Sequence, residues 1–171
     1  MNSAVSLKAW LSLGLIRGLG DETARRLLKE FGSPDAIFSA STGLLKSIVK
    51  PEVANQIAKG IIDDLLEPTF AWLKDSNNQV VTLGDESYPQ SLLNISDPPL
   101  LLYVKGRCDL LNQSALAIVG SRKATPQGLK NAEAFANSLS DSGLCIVSGM
   151  AHGIDAAAHY GGLNGQGSSI A

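Results

Sequence analysis

The sequence predicts an α/β protein, with a small all-α domain over residues 1–74 followed by a parallel α/β sheet over residues 79–171. Three observations carry this. Apolar residues recur at helical spacing up to the loop Asp75-Ser76-Asn77-Asn78, and extended runs follow it. Ala115–Val119 and Leu144–Val147 are continuous apolar runs that flank a helical pattern of Leu129, Ala132, Phe135, Ala136 and Leu139. Each run ends in a glycine-bearing turn, Gly120-Ser121-Arg122 after the first and Ser148-Gly149 after the second. Strand, helix and strand in that order put both turns at the carboxyl ends of parallel strands, where open α/β sheets place their ligands.

At the amino end, Leu7, Leu11, Leu15 and Ile16 predict one helix, and Ala24, Leu27, Leu28 and Phe31 predict a second, with Arg17-Gly18-Leu19-Gly20 as the turn between them. Asp21 is the expected N-cap of the second helix, and Gly32 its end. Glycine, hydrophobic residue, glycine between two short helices resembles the helix-hairpin-helix motif, in which backbone amides approach a DNA phosphate. Asp21 and Glu22 oppose a phosphate there, whereas Arg17, Arg25, Arg26 and Lys29 favour one. Packing or protein contact is the competing role.

Ser33-Pro34 predicts a short helix over 35–40, and Pro51 another with the apolar set Val53, Ile57, Ile61 and Leu65. Pro68 is expected to break or kink that run before Phe70–Leu73. The four or five short helices that result resemble in layout a paired helix-hairpin-helix or SAM-like module. Beyond the loop, Gln79–Leu83 and Leu100–Val104 are predicted strands, with a helical turn near Ser91–Leu93 between them, and form the entry to the α/β domain. Ser168–Ala171 reads as the start of a third parallel strand. A doubly wound domain is not complete after three strands, so the chain is expected to be part of a longer one.

Composition narrows the function classes. The 171 residues, 44% hydrophobic, can bury a core, and a net charge of −2 excludes a surface that binds nucleic acid throughout. Charge is uneven: residues 1–60 carry 8 basic and 5 acidic side chains, residues 61–115 carry 3 and 8, and residues 116–171 carry 3 of each. A polyanion site must therefore be local. Cys108 and Cys145 form no CxxC pair and read as reduced thiols of a cytoplasmic protein. The apolar run Ala9–Ile16 has no preceding basic cluster and is too short for a membrane span, so no membrane role is expected.

Gly120-Ser121-Arg122 has the outline of a phosphate site. The glycine turns the chain without a side chain in the way. Thr125 as N-cap and Pro126 in the first turn aim helix amides at the same place. Ser121 adds a hydroxyl, and Arg122 the two-pronged donor that phosphate prefers. Ala115 to Asn131 holds Arg122, Lys123 and Lys130 and no acid. The dinucleotide fingerprint G-x-G-x-x-G and the P-loop pattern are both absent, which favours the phosphate of a polymer over a small cofactor. At the second turn, Gly153 permits close approach or an unusual dihedral. His152, Asp155 and His159 share a face if one helix spans them, a conceivable metal set. The preferred reading has Asp155 capping the helix and His159 making a buried hydrogen bond, with no metal. No catalytic constellation stands out.

These residues resemble a family. IVGSRKATPQG, then IVSGMAHGIDAAAH, preceded by YPQSLLNISDPPLLLYVKG, are similar to the DNA-processing protein A family (DprA, also called Smf), single-stranded-DNA-binding proteins of natural transformation. The likeness runs from about Tyr88 to Ala171, and the helical region before residue 75 resembles the family's SAM-like module. The resemblance implies an extended Rossmann-like domain, incomplete in this chain, that binds single-stranded DNA in a basic pocket. It implies a homodimer that protects incoming DNA and hands it to the recombinase RecA, with no known catalysis or cofactor. On the matching positions Gly120, Ser121 and Arg122 would meet DNA phosphate, beside Ser148 and Gly149. Lys123, Thr125 and Gly128 of the first motif complete the candidate set. The other class weighed is a nucleotide-binding or nucleotide-cleaving enzyme of the phosphoribohydrolase-like Rossmann group, whose Pro-Gly-Gly-x-Gly-Thr segment is absent here.

Overall fold

Serine, proline and glycine punctuate the helices of the first hundred residues much as their chemistry dictates. The structure is a computed structural model and describes residues 4–60 and 63–171. Helix α1 (Ala4–Gly14) stops short of its predicted end. Leu15 and Ile16 lie instead in a tight turn closed by the Ser12 and Leu13 carbonyls. In α2 (Asp21–Phe31) the cap position belongs to Gly20, and Asp21 is the first helical residue, which corrects the expected N-cap. Its carboxylate is drawn away by another partner, the Leu100 N–H at 3.3 Å.

Helix α3 (Pro34–Ser39) begins as predicted, with Ser33 Oγ accepting the Ala36 N–H at 3.2 Å. Helix α4 (Thr42–Lys46), which the sequence reading did not single out, is capped in the same way by Ser41. Helix α5 (Pro51–Ile57) ends earlier than its apolar pattern suggested. Ile61 of that pattern lies outside the described residues. Leu65 falls in α6 (Asp63–Trp72), a separate helix that runs through Pro68 rather than breaking there. It forgoes one main-chain hydrogen bond, to the Asp64 carbonyl.

The chain divides into two compact units, Met1–Gly106 and Arg107–Ala171. The first is built around Trp10, Leu13, Leu27, Ile37, Leu45 and Ile57. It also contains strands β1 (Asn78–Thr82) and β2 (Leu101–Lys105), which pair antiparallel from Asn78↔Lys105 to Thr82↔Leu101. The sequence reading assigned this pair to the α/β domain. The pair packs on the helices, since Leu100 is part of their core and Leu83 packs against it. Polar contacts agree: Arg25 donates to the Pro98 carbonyl at 2.6 Å and pairs with Asp97 at 2.8 Å.

The second unit is a strand-helix repeat: β3 (Ala115–Ala117), α7 (Pro126–Asp141), β4 (Cys145–Val147), α8 (Ile154–Asn164) and β5 (Ser169–Ile170). The strands form a parallel sheet in the order β3-β4-β5, with Leu116 opposite Ile146 and Ile146 opposite Ser169. Thr125 Oγ1 accepts the Gly128 N–H at 3.1 Å and Pro126 opens α7, both as predicted. The helix ends in a Schellman motif: Leu144 N–H bonds the Leu139 carbonyl, Gly143 N–H bonds the Ser140 carbonyl, and Gly143 takes φ +89°.

Ala136, Ile146 and Ala158 form the core of this unit, flanked by Ile118 and Leu139. Helices α7 and α8 pack so closely that a Cβ on Gly161 would strike the Glu133 carbonyl. Phe135, predicted on the buried face, is 66% exposed. It falls to the flank of the face that Ala132, Ala136 and Ser140 bury. No helix among the described residues is long and apolar enough to cross a membrane.

Candidate nucleic-acid interface

The two glycine-bearing turns meet at the carboxyl ends of β3 and β4, and a buried carboxylate joins them. Asp155, in the first turn of α8, is 6% exposed. Its Oδ1 accepts the Gly120 N–H at 3.3 Å and its Oδ2 accepts the Gly149 N–H at 3.2 Å. A helix N-terminus suits a carboxylate, and the two amides give it directional partners. This role, pinning two strand ends together, was not foreseen for Asp155.

The turns also touch through their main chains. Ile154 N–H donates to the Ser121 carbonyl at 3.2 Å. Gly153, at φ +86°, lies so near that a Cβ there would strike the Ser121 carbonyl and come within 2.8 Å of the Arg122 carbonyl. Across the interface a Cβ on Gly120 would sit 2.8 Å from Ile154 Cγ1. Both glycines are therefore required by close approach, as the sequence reading anticipated for Gly153.

The eight candidate residues separate into two groups. Gly120 and Gly149 have their amides committed to Asp155. Ser148 is buried and its Oγ donates to the Ile118 carbonyl at 2.7 Å, tying β3 to β4. Gly128 and Thr125 bond each other in the α7 cap. These five shape the corner. The remaining three, Ser121, Arg122 and Lys123, are exposed upon it. Ser121 Oγ accepts the Lys123 N–H at 3.1 Å, which leaves its own proton to donate. Neither Arg122 nor Lys123 is in an ion pair among the described residues, whereas Lys8, Arg25 and Arg107 each hold a carboxylate.

Arg122 and Lys123 line a hollow of about 380 Å³ together with Leu129, Glu133, Gly153, Ala156 and Tyr160. Glu133 is the single acid on its wall. A hollow of about 460 Å³ in the first unit is less suited to an anion: Asp63, Asp64 and Glu67 line it, and Lys8 there is paired with Asp63 at 2.7 Å.

The residues of the weighed metal set do not come together. Asp155 is bound to the two amides, His152 is exposed, and His159 Nδ1 lies 2.7 Å from Ser169 Oγ. Among the described residues no three His, Cys, Asp or Glu side chains are grouped to hold a metal ion. His159 makes the hydrogen bond that the preferred reading gave it.

Comparison with known proteins bears on the family of the chain. The family model described as DNA recombination-mediator protein A matches residues 79–171. The chain is 32% identical over 171 residues to Protein Smf of Synechocystis, covering 95% of this chain and 42% of that protein. It is 46% identical over 87 residues to DNA processing protein DprA of Streptococcus pneumoniae, covering 51% of this chain and 30% of that one. The X-ray structure of DprA from Streptococcus pneumoniae superposes with a TM-score of 0.75 at 31% identity, over 96% of this chain and 56% of that one. The chain thus spans less than half the length of these curated relatives.

Proposed function

This chain belongs to the DNA recombination-mediator protein A family, and from that premise we propose that it binds single-stranded DNA through the Ser121-Arg122-Lys123 corner in the service of natural transformation. The observation that carries the reading is the pair of uncommitted cations, Arg122 and Lys123, on a corner held rigid by Asp155. Phosphate binding needs such a donor set with its geometry already paid for. Gly120, Thr125, Gly128, Ser148 and Gly149 serve the site by fixing the shape of the corner. The main-chain N–H of Gln127 in the first turn of α7 and the Ser121 hydroxyl are further donors for a phosphate oxygen.

The role is binding without turnover. Asp155, the one buried carboxylate among the described residues, gives each of its oxygens to a main-chain amide and so is poorly placed to act as a base. The finer architecture follows the same family reading. Residues 1–74 form a SAM-like, helix-hairpin-helix module. The α/β part is the opening of an extended Rossmann-like domain over residues 79–171, a reading supported by a family-model match to the same residues. Homodimerisation, delivery of the strand to RecA and a cytoplasmic location belong to the same proposal.

Fluorescence anisotropy of a labelled single strand, titrated with the full chain at several salt concentrations, tests the central claim. Arg122→Ala is expected to weaken binding about tenfold and to lower the slope of log affinity against log salt by about 0.7, one single-strand phosphate contact. Affinity and slope unchanged by the substitution would place the phosphate elsewhere.

A further inference from the structure

The hollow beside Arg122 has two ends of opposite chemistry. A row of residues from each helix walls it, Leu129 and Glu133 on α7 and Ala156 and Tyr160 on α8. The helices close on each other where Gly161 meets the Glu133 carbonyl, and the hollow opens from there toward the Arg122-Lys123 turn. Glu133 lies two turns into α7, about 10 Å along the axis beyond Pro126. Helical side chains lean toward the amino end, so its carboxylate leans from the closed end back into the hollow. Glu133 and Tyr160 are both exposed, which leaves the carboxylate and the ring open to a ligand.

Glu133 sets a demand that a phosphate does not meet. Among the described residues its side chain is in no ion pair or hydrogen bond, although Arg122 and Lys123 line its hollow and Lys130 lines the adjoining one with it. A carboxylate accepts hydrogen bonds and repels phosphate, so its partner in the hollow is an N–H or O–H donor. A ligand that satisfies both ends carries an anion at Arg122, a flat body against Leu129, Ala156 and Tyr160, and a donor edge at Glu133. One nucleotide has that reach, from its phosphate to the far edge of its base.

The four bases do not meet the demand equally. Guanine sets N1–H and N2–H side by side, a match for the two oxygens of one carboxylate. Adenine and cytosine each offer one amino group beside an acceptor nitrogen, and thymine sets its single N3–H between two carbonyl oxygens that repel a carboxylate. We infer that the hollow is a guanine-selective base subsite, in which Glu133 accepts N1–H and N2–H of a base whose phosphate is held at Arg122. The inference rests on the DNA-binding reading of the Arg122 corner.

Three oligo(dT) strands of one length test it, carrying isolated guanines, inosines at the same places, or thymine throughout. Each is titrated with the full chain by fluorescence anisotropy. The wild type is expected to prefer the guanine strand over the thymine strand about fivefold or more, with inosine, which lacks the N2 amino group, in between. Glu133→Gln should abolish that preference, because an amide offers one acceptor where the carboxylate offers two. Glu133 is exposed and its side chain holds no partner among the described residues, so loss of fold does not confuse the result. A Glu133 that only tempers the neighbouring cations would behave differently: Glu133→Gln would then tighten all three strands alike and leave their ratio unchanged. That outcome, or equal binding of the guanine and thymine strands by the wild type, overturns the guanine subsite while DNA binding stands. Binding of none of the strands, or binding indifferent to Arg122→Ala, removes the Arg122 reading and the subsite with it.

Discussion

Asp155 accepts the Gly120 amide across thirty-five residues of sequence, at 3.3 Å, while its second oxygen accepts Gly149 at 3.2 Å. One buried carboxylate thus sets the distance between the ends of β3 and β4. In Asp155→Asn the side-chain NH₂ would face an amide N–H, donor against donor, so one bond is lost and one donor is left unmet. The expected cost is on the order of 2 kcal/mol of stability. Urea unfolding of the full chain measures it, and a midpoint equal to wild type would show that the two contacts carry no weight.

Gly153 is expected to resist even alanine. Its φ of +86° strains any L side chain, and the added Cβ would meet the Ser121 and Arg122 carbonyls. Gly143 is the matched control, since its φ is +89° but nothing lies within 4 Å of an added Cβ. Gly143→Ala should cost about 1 kcal/mol, the conformational penalty alone. Gly153→Ala should exceed about 2 kcal/mol because the two turns must part, and should weaken single-strand binding with it. Equal costs for the two would contradict the close approach.

Much of this site was legible in the sequence because its signals are local. Apolar runs ending in glycine marked β3 and β4, and Thr125-Pro126 marked the start of α7. Gly153 stood out at the second turn as a glycine that permits close approach or an unusual dihedral. The long-range pairings were not legible. No local pattern says that Asp155 reaches two amides, or that Ser148 is spent on the Ile118 carbonyl. The packing of residues 79–104 was not legible for the same reason. Strand-like residues 79–104 share a period with the α/β segment, yet Leu100 and the Arg25 contacts commit them to the helical unit. Helix α4 has five residues, too few to display a period.

Arg25 separates the two readings of the helix-hairpin-helix-like segment. Its guanidinium donates to the Pro98 carbonyl at 2.6 Å and pairs with Asp97 at 2.8 Å, on a side chain 21% exposed. It is engaged in holding the 96–100 segment on α2. Arg25→Ala is therefore expected to lower stability by about 1 kcal/mol, a value discounted for the exposed Asp97. The salt dependence of strand binding should stay unchanged. A fall in the salt slope without a fall in stability would instead assign Arg25 to phosphate.

The thiols give the last expectation, and its sign follows from their surroundings. Burial pushes the Cys145 thiol up, with the Arg107 guanidinium pulling the other way. Burial pushes Cys108 up as well, and Asp109 adds to it. The folded state holds these protons more tightly than the unfolded chain does. Their contribution to stability is therefore complete below the unfolded thiol value of about 8.5 and is lost as pH rises through the raised folded values. Stability should decline above about pH 9, and less so when both cysteines are replaced by alanine. Access separates the pair, since Cys145 is 0% exposed and Cys108 is half-buried. With iodoacetamide at about pH 8, mass spectrometry should find Cys108 alkylated slowly and Cys145 only after denaturant is added. Labelling of Cys145 in the folded chain at the rate of Cys108 would mean that β4 opens readily, which the buried Cys145 and Ile146 do not permit.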